Sequence, residues 1–100
     1  RNFEYYSEDG MLSGIIGSRI VKGATGRGVM CYIKHFAVNA QDRNRMTVNA
    51  TWIQEQALRE IYLKPFEMSI KDGNSLAVMT SYNRIGISCQ LRVSALTDGP

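Results

Sequence analysis

The run Lys34-His35-Phe36-Ala37-Val38-Asn39, with Gln41 and Arg45 close behind, ends the apolar stretch Val29-Met30-Cys31-Tyr32-Ile33 and turns it abruptly into a polar, basic loop. A buried strand tolerates a lysine only where its charge meets a carboxylate or a polar ligand, because desolvating an unpaired ammonium is costly. The strand is therefore expected to aim its last residues at something polar. Lysine and arginine donate hydrogen bonds, and histidine can donate or accept. A second apolar stretch, Leu76 to Ser81, breaks in the same way into Ser81-Tyr82-Asn83-Arg84.

The elements that must carry these clusters follow from periodicity. Leu12, Ile15, Ile16, Ile20 and Val21 recur near helical spacing, which predicts an amphipathic helix from Leu12 to about Ala24 after the polar Ser7-Glu8-Asp9-Gly10. Gly23, Gly26 and Gly28 end it and lead into a strand over Val29–Ile33. The glycines close a helix and precede a strand, the reverse of a dinucleotide-binding fingerprint. Residues 37–49 read as a long polar loop of the kind that is commonly functional. A second helix is expected from near Thr51, with Thr51 and Gln54 at capping-box spacing. Its apolar face runs through Ile53, Ala57, Leu58, Ile61, Tyr62, Phe66 and Ile70 to a C-cap at Asp72-Gly73, with a bend at Pro65.

Helix, strand, loop, helix, strand, loop, with both strands apolar throughout, is the pattern of a parallel sheet covered by helices. Parallel strands place their C-terminal ends on one edge, so the Lys34-His35 and Tyr82-Asn83 clusters should meet there. In α/β barrels and open sheets that edge holds the active site.

The 100 residues suffice for one small domain, and the net charge is +3. Twelve lysines and arginines are scattered along the chain without forming a stripe, which argues against nucleic-acid binding. Cys31 and Cys89 lack both metal-ligand spacing and a disulfide framework, and read as plain thiols. No apolar run approaches the roughly 18 residues of a membrane span. Beginning at Arg1 and ending at Gly99-Pro100, the chain is expected to be an excerpt from a longer protein.

The text Arg1-Asn2-Phe3-Glu4, Ser7-Glu8-Asp9, Lys34-His35-Phe36-Ala37-Val38-Asn39 with Gln41 and Asn44-Arg45-Met46, Leu58-Arg59-Glu60-Ile61-Tyr62-Leu63 with Pro65-Phe66-Glu67, and Val78-Met79-Thr80-Ser81-Tyr82-Asn83 resembles glycoside hydrolase family 3, the β-glucosidase and β-xylosidase group. The resemblance covers residues 1–86 and implies part of a (β/α)8 TIM-type barrel, about two βα units with a preceding loop and helix. It also implies a retaining, exo-acting β-glycosidase acting on a β-glucoside or β-xyloside, with no metal or organic cofactor. The residues matching the family's sugar-holding positions are Arg1, Lys34, His35, Arg45 and Tyr82. The nucleophilic aspartate and the acid/base are expected outside this chain, in the remainder of the parent enzyme. Asp98 follows Tyr82 by only sixteen residues, too few for a helix and a further strand between them.

The resemblance has departures. Asp42 stands where the family commonly has glutamate. After Gly86 the pattern is lost, and residues 87–100 are expected to be a divergent or truncated tail from an interrupted reading frame. The competing readings are a non-catalytic carbohydrate-binding or structural fragment, and a small α/β module whose Arg1, Lys34, His35 and Arg45 grip an anion. For a sugar site, one further condition holds. Adjacent side chains of a regular strand point to opposite faces, so Lys34 and His35 reach one sugar only if a bulge or a cis peptide breaks the alternation.

Overall fold

The computed structural model describes residues 5–47, 49–86 and 88–89. Helix α1 (Gly10–Thr25) starts where the side chain of Asp9 accepts from the Leu12 amide at 2.8 Å, satisfying a donor that the first helical turn leaves open. Strand β1 (Tyr32–Phe36) follows, then the two-residue β2 (Ala50–Thr51). A continuous helical stretch comes next: α2 (Glu55–Ala57), a π-helical segment (Leu58–Leu63) and α3 (Lys64–Lys71). The chain continues through β3 (Ala77–Thr80), β4 (Arg84–Ile85) and β5 (Ser88–Cys89).

β1 and β3 pair in parallel, with Tyr32 opposite Ala77 and Phe36 opposite Thr80. The helical stretch between them makes the crossover that a parallel pair requires. The expected α/β organisation is therefore present, and both strands end on one edge. A second small sheet joins β2 to β4 in parallel and β4 to β5 antiparallel.

Helix α1 lies against α3 and the π-helical segment, its buried face being Gly10, Gly14, Gly17, Ser18 and Val21. The contact is close because the glycines carry no Cβ: one added at Gly10 would lie 2.7 Å from the Glu60 carbonyl oxygen. Phe36 meets Phe66 edge to face at 5.1 Å, seating β1 on α3. Ala37, Val38 and Leu58 form a buried cluster beneath the end of β1, with Phe36, Ile53, Tyr62, Leu63 and Ile85 packed around it.

The elements differ from the sequence reading at their boundaries. β1 runs Tyr32–Phe36 and not Val29–Ile33, because pairing begins opposite Ala77, so Lys34 and His35 lie within the strand. Thr51 is not a helix cap. It belongs to β2, and the helix begins after Gln54, which makes no side-chain capping bond. Pro65 falls in the first turn of α3, just after the π-helical segment, a position where a missing N–H is tolerated.

The alternation of β1 is broken as a shared site requires. The β1–β3 register shifts between Ile33 and Phe36, and the Lys34–His35 and Phe36–Ala37 peptides are cis.

Candidate active site

At the C-terminal edge of the β1–β3 pair, Lys34 is exposed and His35 half-buried on β1, and Tyr82 is exposed two residues past the end of β3. Arg45 reaches this edge from the loop after β1. Its guanidinium carbon stands 5.7 Å from the centre of the Tyr82 ring, a cation–π arrangement. The same guanidinium pairs with the carboxylate of Asp42 three residues earlier. Both groups are partly in solvent, so the ion pair orients Arg45 more than it stabilises the fold.

The loop that carries Arg45 is built from short turns, with the Arg45 amide donating to the Asp42 carbonyl at 3.3 Å and the Asn49 amide to the Asn44 carbonyl at 3.1 Å. Asn44 takes the left-handed conformation (φ 59°), which asparagine tolerates better than most residues. Asp42, Asn44, Arg45, Met46 and Thr47 line an open depression of about 340 Å³.

Arg45 and Tyr82 are thus in contact, and Lys34 and His35 lie on the strand paired with the one that leads to Tyr82. Arg1 lies outside the described residues. Chemically, the edge offers cationic donors, an imidazole and an aromatic ring, a set suited to a ring of hydroxyls that both donate and accept. Among the described residues, no group of three or more histidines, cysteines, aspartates and glutamates is placed to hold a metal ion.

Ser81 and Asn83, in the polar cluster that the sequence places at this edge, and Thr51, which the sequence reads as a cap, fasten it. The Ser81 amide donates to the Phe36 carbonyl at 2.8 Å, and its hydroxyl to the Ala37 carbonyl at 3.2 Å. Asn83 is fully buried, and its amide nitrogen faces the Ala37 carbonyl at 3.2 Å and Thr51 Oγ1 at 3.4 Å. Asn39 is also buried, and its backbone carbonyl accepts from the Tyr5 hydroxyl at 3.1 Å. The available signal was polar side chains directly following apolar strands, which is where buried amides secure loops.

Parallel strands, a helical crossover and polar groups gathered at the C-terminal edge define a portion of an α/β barrel. The sequence profile described as Glycosyl hydrolase family 3 N terminal domain matches residues 1–98, and the chain belongs to that family. It is 57% identical over 83 residues to a β-glucosidase B of Emericella nidulans, covering 83% of this chain and 10% of that protein. The structure of β-glucosidase 3B from Thermotoga neapolitana in complex with glucose superposes with a TM-score of 0.83 at 45% identity, over 98% of this chain and 14% of that one. A β-glucosidase from Kluyveromyces marxianus in complex with glucose gives 0.81 at 40% identity, over 86% of this chain and 10% of that one. The chain therefore spans about a tenth of the length of the curated relatives it matches.

Proposed function

We propose that this chain is the sugar-holding segment of a retaining, exo-acting β-glycosidase that removes terminal β-linked glucosyl or related residues from small glycosides. Arg1, Lys34, His35, Arg45 and Tyr82 hold the sugar. The nucleophile and the acid/base come from the remainder of the parent enzyme, and residues 1–86 make up the barrel segment, followed by a divergent tail over 87–100.

The observation that carries this reading is the Arg45–Tyr82 contact, made by residues from two different loops at the strand edge that also bears Lys34 and His35. It is supported by relatives whose β-glucosidase structures hold glucose. In a retaining mechanism, hydrogen bonds to the sugar, especially at the 2-hydroxyl, strengthen as oxocarbenium character develops. Charged donors fixed before the reaction serve that purpose because they need little reorganisation at the transition state.

The test is hydrolysis of an aryl β-glucoside. The full-length enzyme is expected to release the aryl alcohol and the 100-residue chain to release none. Release by the isolated chain would instead require a catalytic pair within it, and silence from the full-length enzyme on aryl β-glucosides and β-xylosides alike would end the proposal.

A further inference from the structure

We infer that Asn83 is a positioning residue for this site, clamping the turn after β1 in the shape that presents Lys34 and His35; the inference rests on the sugar-holding role proposed above. Asn83 has no solvent exposure. Its side-chain nitrogen faces three acceptors, the carbonyls of Ala37 at 3.2 Å and Val38 at 3.5 Å and Thr51 Oγ1 at 3.4 Å. The Thr51 hydroxyl in turn donates to the Val38 carbonyl at 3.4 Å, so the amide and the hydroxyl share one small network. Ser81 completes it from the end of β3, through its amide to Phe36 and its hydroxyl to Ala37.

What the network holds is an unfavourable backbone. Val38 has φ 56°, in the left-handed region that a β-branched residue rarely enters. Such a residue persists only where its surroundings over-determine it, and these conformations gather at functional sites. Here the surroundings are identifiable, since the two carbonyls gripped by Asn83 belong to Val38 and the residue before it.

Packing alone does not account for the asparagine. Its Oδ1 is buried with no partner among the described residues, a cost that an apolar side chain of similar size would avoid. Its donor group is what the turn uses. Without that donor, Val38 can relax to an ordinary negative φ, and the end of β1 moves with it.

The experiment uses the full-length enzyme. Asn83→Asp keeps the size but removes the donors, and Asn83→Ala removes the group. Both are expected to lower kcat/KM on an aryl β-glucoside at least about tenfold, chiefly through kcat, because misplaced donors lose transition-state contacts first. Ser81→Ala, which removes one hydrogen bond and leaves the core filled, is expected to give a smaller loss in the same direction.

The discriminating readout is coupling. In a Lys34→Ala background the Asn83 substitutions are expected to cost clearly less than in the wild-type background, because one of the two side chains they position is already gone. Hydrogen exchange supplies a measurement independent of activity. The Ala40 amide, bonded to the Val38 carbonyl, and the Ser81 amide should exchange faster in the variants, while the Ser13 amide in α1 keeps its rate.

Wild-type kcat/KM in Asn83→Asp, equal losses with and without Lys34, or unchanged exchange at Ala40 and Ser81 would each overturn the inference. An unsubstituted enzyme inactive on β-glycosides would instead overturn the proposed function, and the exchange rates would still decide whether Asn83 clamps the turn.

Discussion

Lys34 and Arg59 are both exposed cations, and they are expected to differ sharply when removed. Arg59 pairs with Glu55 one helical turn away at 2.9 Å with both groups largely in solvent, an interaction worth about 0–1 kcal/mol. Lys34 stands at the strand edge that the proposed reaction uses. In the full-length enzyme, Lys34→Ala should lower kcat/KM by roughly 10²-fold or more if its hydrogen bonds tighten in the transition state, and Arg59→Ala should do far less. Equal losses at the two positions would mean that Lys34 acts through folding. Glu67 gives a prediction of a different kind. It accepts from Lys64 and Lys71, each at 2.8 Å, and those bonds, Lys64 first, lower its carboxyl from the ordinary 4.5 to about 2. A lowered value means that the folded protein favours the carboxylate more than the unfolded chain does. The contribution is therefore complete above pH 4.5 and lost as pH falls through about 2. The Tm difference between the full-length enzyme and its Glu67→Gln variant should stay constant above pH 4.5 and shrink below it. A difference that grew on acidification would contradict this sign.

The helices pack closely enough for single methyl groups to matter. A Cβ at Gly10 would meet backbone, at 2.7 Å from the Glu60 carbonyl and 2.9 Å from the Ile61 Cα, whereas at Gly14 it would meet the Met68 sulfur, the flexible end of a side chain. At Gly23 it would meet nothing within 4 Å. Three alanine substitutions should therefore rank by what each methyl encounters. Gly10→Ala is expected to destabilise by about 1–3 kcal/mol, as overpacking does. Gly14→Ala should cost less because Met68 can turn aside, and Gly23→Ala should stabilise by about 0.5–1 kcal/mol through helix propensity. Chemical denaturation of the full-length variants would check the order, and Gly14→Ala costing more than Gly10→Ala would break it. The same elements explain what was legible beforehand. The helix from Leu12 and the strand ending in Ser81 carry long, regular apolar patterns, and both were found within a few residues. β2 is only Ala50–Thr51, too short to show a period, so its threonine imitated a cap with Gln54. The site was readable where its members were charged or aromatic and stood directly at strand ends. Asn83 and Ser81 were placed at the right edge by the sequence, but their fastening role rests on long-range contacts to Ala37 and Val38, which no local pattern encodes.

At the scale of the whole molecule, very little apolar surface is enclosed among the described residues. Val21, Ala37, Val38 and Leu58 are the buried hydrophobic residues among those described, whereas Met30, Tyr32, Leu76 and Met79 on or beside the β1–β3 pair are exposed, Leu76 by 78%. Among the described residues the pair is two strands wide, so each strand has a described neighbour on one side only and offers an edge of the kind that promotes association when unpaired. A barrel of this class removes such edges by closing eight strands and fills its interior with their side chains. The 100-residue chain in isolation is therefore expected to lack a cooperative thermal transition in the usual mesophilic range of about 45–65 °C and to associate as its concentration rises. The full-length enzyme is expected to unfold cooperatively. Calorimetry on both, with light scattering on the isolated chain, tests this. A sharp, concentration-independent transition from the isolated chain would show that the α1–α3 contact and the small cluster under Val38 suffice as a core. The strand faces would then be free surface and not the inner wall of a larger barrel.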